Sequence, residues 1–238
     1  MVTMTGNPMT AYLFGPVAPP ALPVVGETGL YPVRRIFCVG RNYAAHAREM
    51  GGDPVIEPPF YFTKCATDLV PEGGAIAYPP ATANFHHEVE LVVALAAPLF
   101  QSDPGQAAKA VFGQAVGIDF TRRDLQTIAK KAGRPWDLGK SFDGAAPVSA
   151  LRRCTAPATR GAIRLAVNGE TRQQGEIADM IWPVAELLAH LSQYHRLDVG
   201  DLIFTGTPDG VGPVVIGDRI DAEIDTIGHL SVMVTTPR

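Results

Sequence analysis

Apolar and polar positions along this chain follow a two-residue period more often than a helical one, so strands should outnumber helices. Strand patterns run through Arg35-Ile36-Phe37-Cys38-Val39, Phe60-Tyr61-Phe62, His86 to Val93, Phe112 to Ile118, Ile163 to Val167 and Leu202 to Thr205, with a late pair at Ile220 to Ile224 and Leu230 to Val234. Helical patterns are confined to Tyr43 to Met50, Pro104 to Val111, Thr121 to Lys131 and Pro183 to Tyr194. In the last of these, Val184, Leu187, Leu188 and Leu191 form one apolar stripe and Pro183 suits the first turn. Asn168-Gly169 predicts a type I′ hairpin turn after Leu165-Ala166-Val167. No internal repeat is present, and the alternation is too irregular for a doubly wound parallel sheet. The pattern predicts an α+β, β-dominated fold.

Residues 1–31 read differently. Pro16, Pro19, Pro20 and Pro23 favour polyproline II and cannot join a central strand, which predicts a Pro-rich N-terminal arm that straps onto a main domain spanning 32–238. With 46% hydrophobic residues among 238, the chain can bury one substantial core. A net charge of −4, with basic residues scattered in pairs, argues against a nucleic-acid partner. Cys38, Cys65 and Cys154 lack metal-binding or disulfide spacing and read as ordinary thiols of a reducing compartment. The stretch Ala11 to Val25 is broken by prolines and has no basic leader, and Leu91 to Phe100 is too short to span a bilayer, so a cytoplasmic protein without membrane partners is expected.

The chemistry begins in His86-His87-Glu88-Val89-Glu90-Leu91-Val92-Val93. Glu88 and Glu90, two apart, project from one face of a strand whose apolar run predicts burial. Buried like charges require protonation, basic partners or a cation, and a divalent metal satisfies both carboxylates at once. The alternative is the wet face of an edge strand, with His87, Val89 and Leu91 turned inward. His86 shares the parity of the glutamates, as a possible further ligand or as a hydrogen-bonded imidazole.

Asp119, at the end of the apolar run before Phe120, could add a third carboxylate. Three carboxylates without partnering cysteines favour Mg2+ or Mn2+ over zinc. Thr121 and Asp124 are spaced as a capping box, which would make Asp124 structural and leave Arg123 and Gln126 able to reach a site. Upstream, Val39-Gly40-Arg41-Asn42-Tyr43 reads as a strand end and tight turn leading into a short helix, on which His46 and Glu49 are neighbours. A carboxylate beside an imidazole orients it and raises its basicity, as a general base needs. A solvated helix-face contact is the alternative, and Gly51-Gly52-Asp53 beyond it is either a lid hinge or a helix C-cap.

These segments, with Arg134-Pro135-Trp136-Asp137-Leu138-Gly139-Lys140-Ser141-Phe142 and Thr205-Gly206-Thr207-Pro208-Asp209-Gly210-Val211-Gly212, occur in one order. From about Pro32 to Val234 the chain resembles the fumarylacetoacetate hydrolase superfamily, within it the acylpyruvate hydrolase branch and especially the bacterial fumarylpyruvate hydrolases. The resemblance implies a mixed β-roll or sandwich with a few peripheral helices, assembled as a homodimer. It implies Glu88, Glu90 and Asp119 as ligands of Mg2+ or Mn2+, His46 and Glu49 as the water-activating dyad, and Lys140 beside the reacting carbonyl. Arg41, Arg123, Gln126 and Thr207 fall at positions that look like substrate contacts. The apolar neighbours Leu138 and Phe142 suggest that the Lys140 ammonium enters a pocket.

The implied reaction is hydrolysis of a carbon-carbon bond in a 2,4-diketo acid, in the first place fumarylpyruvate to fumarate and pyruvate in aromatic-acid degradation. Two alternatives stand beside it. The same metal site could decarboxylate oxaloacetate or interconvert its keto and enol forms, or the protein could bind keto acids or metal without catalysis. A water-activating dyad favours hydrolysis.

Overall fold

The computed structural model describes residues 13–45 and 58–237. The expected β-dominated class is what the chain adopts, a mixed β-roll with few helices. Its centre is an eight-stranded sheet in the order Phe60–Lys64, Arg35–Gly40, Asp201–Phe204, Val89–Leu95, Val111–Ile118, Ala146–Val148, Leu69–Pro71, with Arg152–Arg153 also pairing to Val111–Ile118. Asp201–Phe204 runs parallel to Arg35–Gly40, and Ala146–Val148 parallel to Leu69–Pro71, whereas the other pairings are antiparallel.

Opposite it lies a five-stranded sheet ordered Glu170–Glu176, Ala162–Val167, Arg219–Ile224, Gly228–Thr235, Gly74–Ala77. Asn168 and Gly169 form the turn of its first hairpin with φ of 53° and 82°, the left-handed pair that a type I′ turn requires.

The alternation along Val89–Leu95 explains its uninterrupted apolar sequence. Leu91, Val93 and Leu95 join the large core between the sheets, together with the stripe of the Val184–Tyr194 helix. Val92 and Ala94 enter a second core on the opposite face, with Ile36, Cys38 and Phe204. A sheet covered on both sides needs apolar residues at every position. The second core is closed by the N-terminal segment: Ala21–Pro23 pairs with Leu30–Pro32, burying Leu22, Val24 and Tyr31. Residues 21–32 thus pack as a small hairpin outside the main sheets. Among the described residues, no helix is long and apolar enough to cross a membrane.

Several expected elements differ. The run from His86 to Val93 is two strands, Phe85–His87 and Val89–Leu95, belonging to different sheets. The chain changes sheets at Glu88, where the Gln173 side chain takes the Val89 N–H at 3.0 Å and Asp119 N–H donates to Glu88 C=O at 2.8 Å.

The Thr121–Asp124 capping box does not form. Thr121–Arg122 is a short strand against Phe85–His87, so the helix starts only at Arg123, without a side-chain N-cap. Asp124 instead accepts from Thr82 Oγ1 at 2.6 Å and Ala83 N at 2.9 Å, a structural role in the preceding loop. The next helix upstream is capped by Asp103 and Gln106, and it ends at Lys109 because Val111 is taken into the main sheet. Tyr43 forms an isolated bridge to Met180 before helical geometry begins at Ala44. The remainder of that expected helix, with His46, Glu49 and Gly51-Gly52-Asp53, lies outside the described residues.

Candidate active site and metal centre

Three backbone features bring the acids together. Glu88 sits at the sheet change, Glu90 is the second residue of the adjoining strand, on the side of Val92 and Ala94, and Asp119 follows Ile118, the register partner of Val89. One carboxylate oxygen from each of Glu88, Glu90 and Asp119 lies within 4.8 Å of the others, and all three residues are buried.

Basic side chains answer two of these charges. Lys140, 2% exposed at the end of the short Asp137–Lys140 helix, places Nζ 2.8 Å from Glu88 Oε2 and 2.6 Å from Asp119 Oδ2. Burial by itself lowers the pKa of this ammonium, but Asp119 and Glu88 outweigh it and hold the group above its ordinary value. Lys140 therefore carries its proton at neutral pH. The ammonium enters the pocket, although Leu138 itself is exposed; an aromatic contact comes from Phe62, whose ring centre is 4.8 Å from Nζ. Arg123 Nη2 donates to Glu88 Oε1, and Nη1 donates to Gln126 Oε1 at 2.6 Å.

His86 is occupied elsewhere. Its Nε2 donates to Asn84 Oδ1 at 2.8 Å and its Nδ1 faces Arg123 Nε at 3.4 Å. Burial, then the Arg123 charge, pushes its pKa down to about 4, so the ring is neutral near pH 7 and is the hydrogen-bonded imidazole rather than a ligand.

Glu90 is the exception. Its one described hydrogen bond comes from the Gly206 N–H, 2.7 Å from Oε2, and among the described residues no basic side chain pairs with it. Burial, then the charges of Asp119 and Glu88, pushes its pKa well above the usual carboxylate range. Gly206 adopts φ +97°, and a Cβ there would lie 2.6 Å from Asn42 Cβ, so the close approach of this N–H needs glycine. Asn42 fixes the approach by donating from Nδ2 to Thr205 O at 2.8 Å and Trp182 O at 3.0 Å while accepting the Trp182 N–H at 2.8 Å. Asp119 Oδ1 has an ion-pair contact with Lys64 Nζ at 2.8 Å but accepts no hydrogen bond. A lone carboxylate without a cationic partner and an oxygen with lone-pair capacity to spare are what a hard divalent cation would use. The donor set fits Mg2+ or Mn2+.

Glu88 and Glu90 line a cavity of about 350 Å³. Arg123, Gln126 and Thr207 line it, as does Arg41, held at φ 58° with its guanidinium 5.7 Å above the Phe60 ring. All described residues expected at the site thus meet in one place; His46 and Glu49 lie outside the described residues.

Sequence reasoning missed Lys64 and Gln173 here. Lys64 is fully buried, donating to Phe120 O at 3.1 Å and to Lys140 O as well as pairing with Asp119. Its parity with Phe60 and Phe62, which form the aromatic wall with Trp136, was a readable signal. Gln173 gave no such signal. It is wholly buried and fully satisfied, accepting from Val89 N and His87 Nδ1 (2.9 Å) and donating to Thr207 Oγ1 at 2.8 Å and Pro208 O at 2.9 Å. Because Oε1 only accepts, His87 must carry its proton on Nδ1.

Residues 35–235 match the family model described as fumarylacetoacetate (FAA) hydrolase C-terminal. The chain is 45% identical over 183 residues to fumarylpyruvate hydrolase of Ralstonia, covering 76% of this chain and 95% of the relative. It is 43% identical over 202 residues to oxaloacetate tautomerase YcgM of Escherichia coli, covering 84% and 91%. Its fold matches the crystal structure of fumarylpyruvate hydrolase from Pseudomonas aeruginosa in complex with Mn2+ and pyruvate with a TM-score of 0.93 at 47% identity, over 95% of this chain and 100% of the other. The motifs read from the sequence, the two-sheet architecture and these similarities agree that the chain belongs to the fumarylacetoacetate hydrolase family.

Proposed function

We propose that this protein hydrolyses a carbon-carbon bond of a 2,4-diketo acid, converting fumarylpyruvate to fumarate and pyruvate, with Mg2+ or Mn2+ held by Glu88, Glu90 and Asp119. The observation that carries the reading is the buried carboxylate triad, in which Glu90 has a backbone N–H but no basic partner among the described residues. Similarity to a fumarylpyruvate hydrolase solved with Mn2+ and pyruvate supports both the substrate class and the ion. A bound divalent cation would supply Lewis acidity toward the keto-acid end of the substrate.

The chain's own residues account for the remaining steps. Arg123 and Gln126, already joined to each other, orient the substrate's oxygens against the cavity wall. His46, with Glu49 supporting it, takes a proton from the water that attacks the distal carbonyl; this assignment rests on the sequence pattern. When the tetrahedral intermediate collapses, the bond between C3 and C4 breaks and pyruvate leaves as its enolate, which is then protonated at C3. The protonated Lys140 ammonium lines the cavity and offers positive charge to the oxygen on which negative charge develops. A cytoplasmic homodimer accords with the family resemblance and with three free cysteines.

Similarity to an oxaloacetate tautomerase favours a second reading, keto-enol interconversion or decarboxylation of oxaloacetate in the same cavity. A coupled pyruvate-release assay over fumarylpyruvate, maleylpyruvate, acetylpyruvate and oxaloacetate, with and without Mg2+, together with the decay of the oxaloacetate enol absorbance, separates them. The hydrolase reading requires metal-dependent pyruvate from a diketo acid; activity on oxaloacetate alone would replace it with the second.

A further inference from the structure

We propose that Lys130 and Lys131 form the receiving site for the distal carboxylate of the substrate, so that the cavity selects dicarboxylic over monocarboxylic keto acids of equal length. This rests on reading the cavity as a keto-acid site.

The Arg123–Lys131 helix carries the argument. Arg123, Gln126, Thr127 and Lys130 recur at the spacing of a single helix face, Lys131 flanks them, and all five line the cavity. A helix face turned toward the body of a protein is ordinarily apolar. Here it is wholly polar, while Ile128 on another face is 60% exposed. The face also grades from buried to open: Arg123 and Gln126 lie buried beside Glu88, and Lys130 and Lys131 are exposed at the mouth.

Seven residue steps of helix separate Arg123 from Lys130, about 10 Å along the axis. Side chains lean toward the helix N-terminus, which inclines both lysines back over the cavity. A seven-carbon keto diacid, with six carbon-carbon bonds of about 1.5 Å, has a comparable span when extended. Between the two ends runs an aromatic wall, where Trp136 packs edge-on to Phe60 at 5.2 Å, an apolar surface for the chain between the two carboxylates. The bland account of two lysines in a last helical turn is that they complement the helix dipole, and that account predicts no effect on ligand choice.

The test compares binding of 2-oxopimelate and 2-oxoheptanoate, both of seven carbons, to the Mg2+-loaded protein by calorimetry. The wild type should favour the diacid by roughly tenfold or more, the equivalent of one charge-assisted contact. The double variant Lys130→Met, Lys131→Met should lose most of that preference, and Lys130→Arg, Lys131→Arg should keep it. No preference in the wild type, or an unchanged preference in the Met variant, overturns the proposal. Hydrolysis is not needed for this readout: a lysine-dependent preference in a protein that cleaves no diketo acid would refute the hydrolase reading and leave this one standing.

Discussion

The backbone N–H of Asp119 donates to the carbonyl of Glu88 at 2.8 Å, so two of the three candidate metal ligands are tied through their main chains at the point where the chain changes sheets. Their carboxylates are set before any cation arrives. Lys140 bridges the same two residues through their side chains, which makes the pair rigid and leaves Glu90 as the member whose charge most needs a metal.

Glu90→Gln therefore separates metal binding from folding. Without metal, the change removes a buried carboxylate that lacks a basic partner among the described residues, and stability should hold or rise. With metal at about 100 times Kd, the wild type should gain about 2.7 kcal/mol and the variant little of it. Thermal unfolding with and without Mn2+ checks both halves; an equal metal-induced shift in the two proteins would exclude Glu90 as a ligand.

Lys140→Met should behave in the opposite way. The ammonium offsets Glu88 and Asp119, so its loss leaves buried charge uncompensated and should cost the metal-free protein about 3 kcal/mol or more. Added Mn2+ should restore part of the stability but not the turnover. Full turnover in the metal-loaded variant would reduce Lys140 to a structural counter-charge.

Glu88 and Glu90 were legible as a pair because strand parity survives a sheet change of one residue, and Asp119 because an acid at the end of an apolar run is conspicuous. The sheet change itself was not legible. It depends on Gln173, far along the chain, reaching the Val89 N–H, and no local pattern encodes that. The false capping box failed for a related reason: pairing of Thr121 and Arg122 with His86 and Phe85 outweighs the local preference of Thr121 to cap a helix.

Gln173→Leu tests that long-range control. It strips partners from His87, the Val89 N–H, Thr207 and the Pro208 carbonyl, all within a buried network. A loss of about 3 kcal/mol is expected in urea unfolding, with weaker keto-acid binding because Thr207 is released. A loss under about 1 kcal/mol would mean that the network is optional.

Asp201 supplies the pH-dependent part of stability. Its side chain is buried and accepts from Arg34 (3.0 and 3.1 Å) and Arg35 (3.1 and 2.7 Å), pinning the two parallel central strands. Burial alone would raise its pKa, yet Arg35 and Arg34 hold it below the ordinary value. A depressed folded pKa contributes stability above the unfolded value near 3.9, lost as pH falls through the folded one. Asp201→Asn should cost about 2 kcal/mol at pH 7, and the gap should narrow below about pH 4. A gap independent of pH would assign the effect to packing.

The most direct test of metal-dependent hydrolysis is mass spectrometry of fumarylpyruvate turned over in 18O-labelled water with Mn2+ present. The account predicts equal amounts of pyruvate and fumarate, with 18O from the attacking water in the new fumarate carboxylate, collapse of the reaction on chelation of the metal, and a roughly 100-fold or greater loss in His46→Ala. Substrate recovered as its keto-enol mixture without pyruvate, or fumarate formed at the same rate after metal is removed, would contradict it.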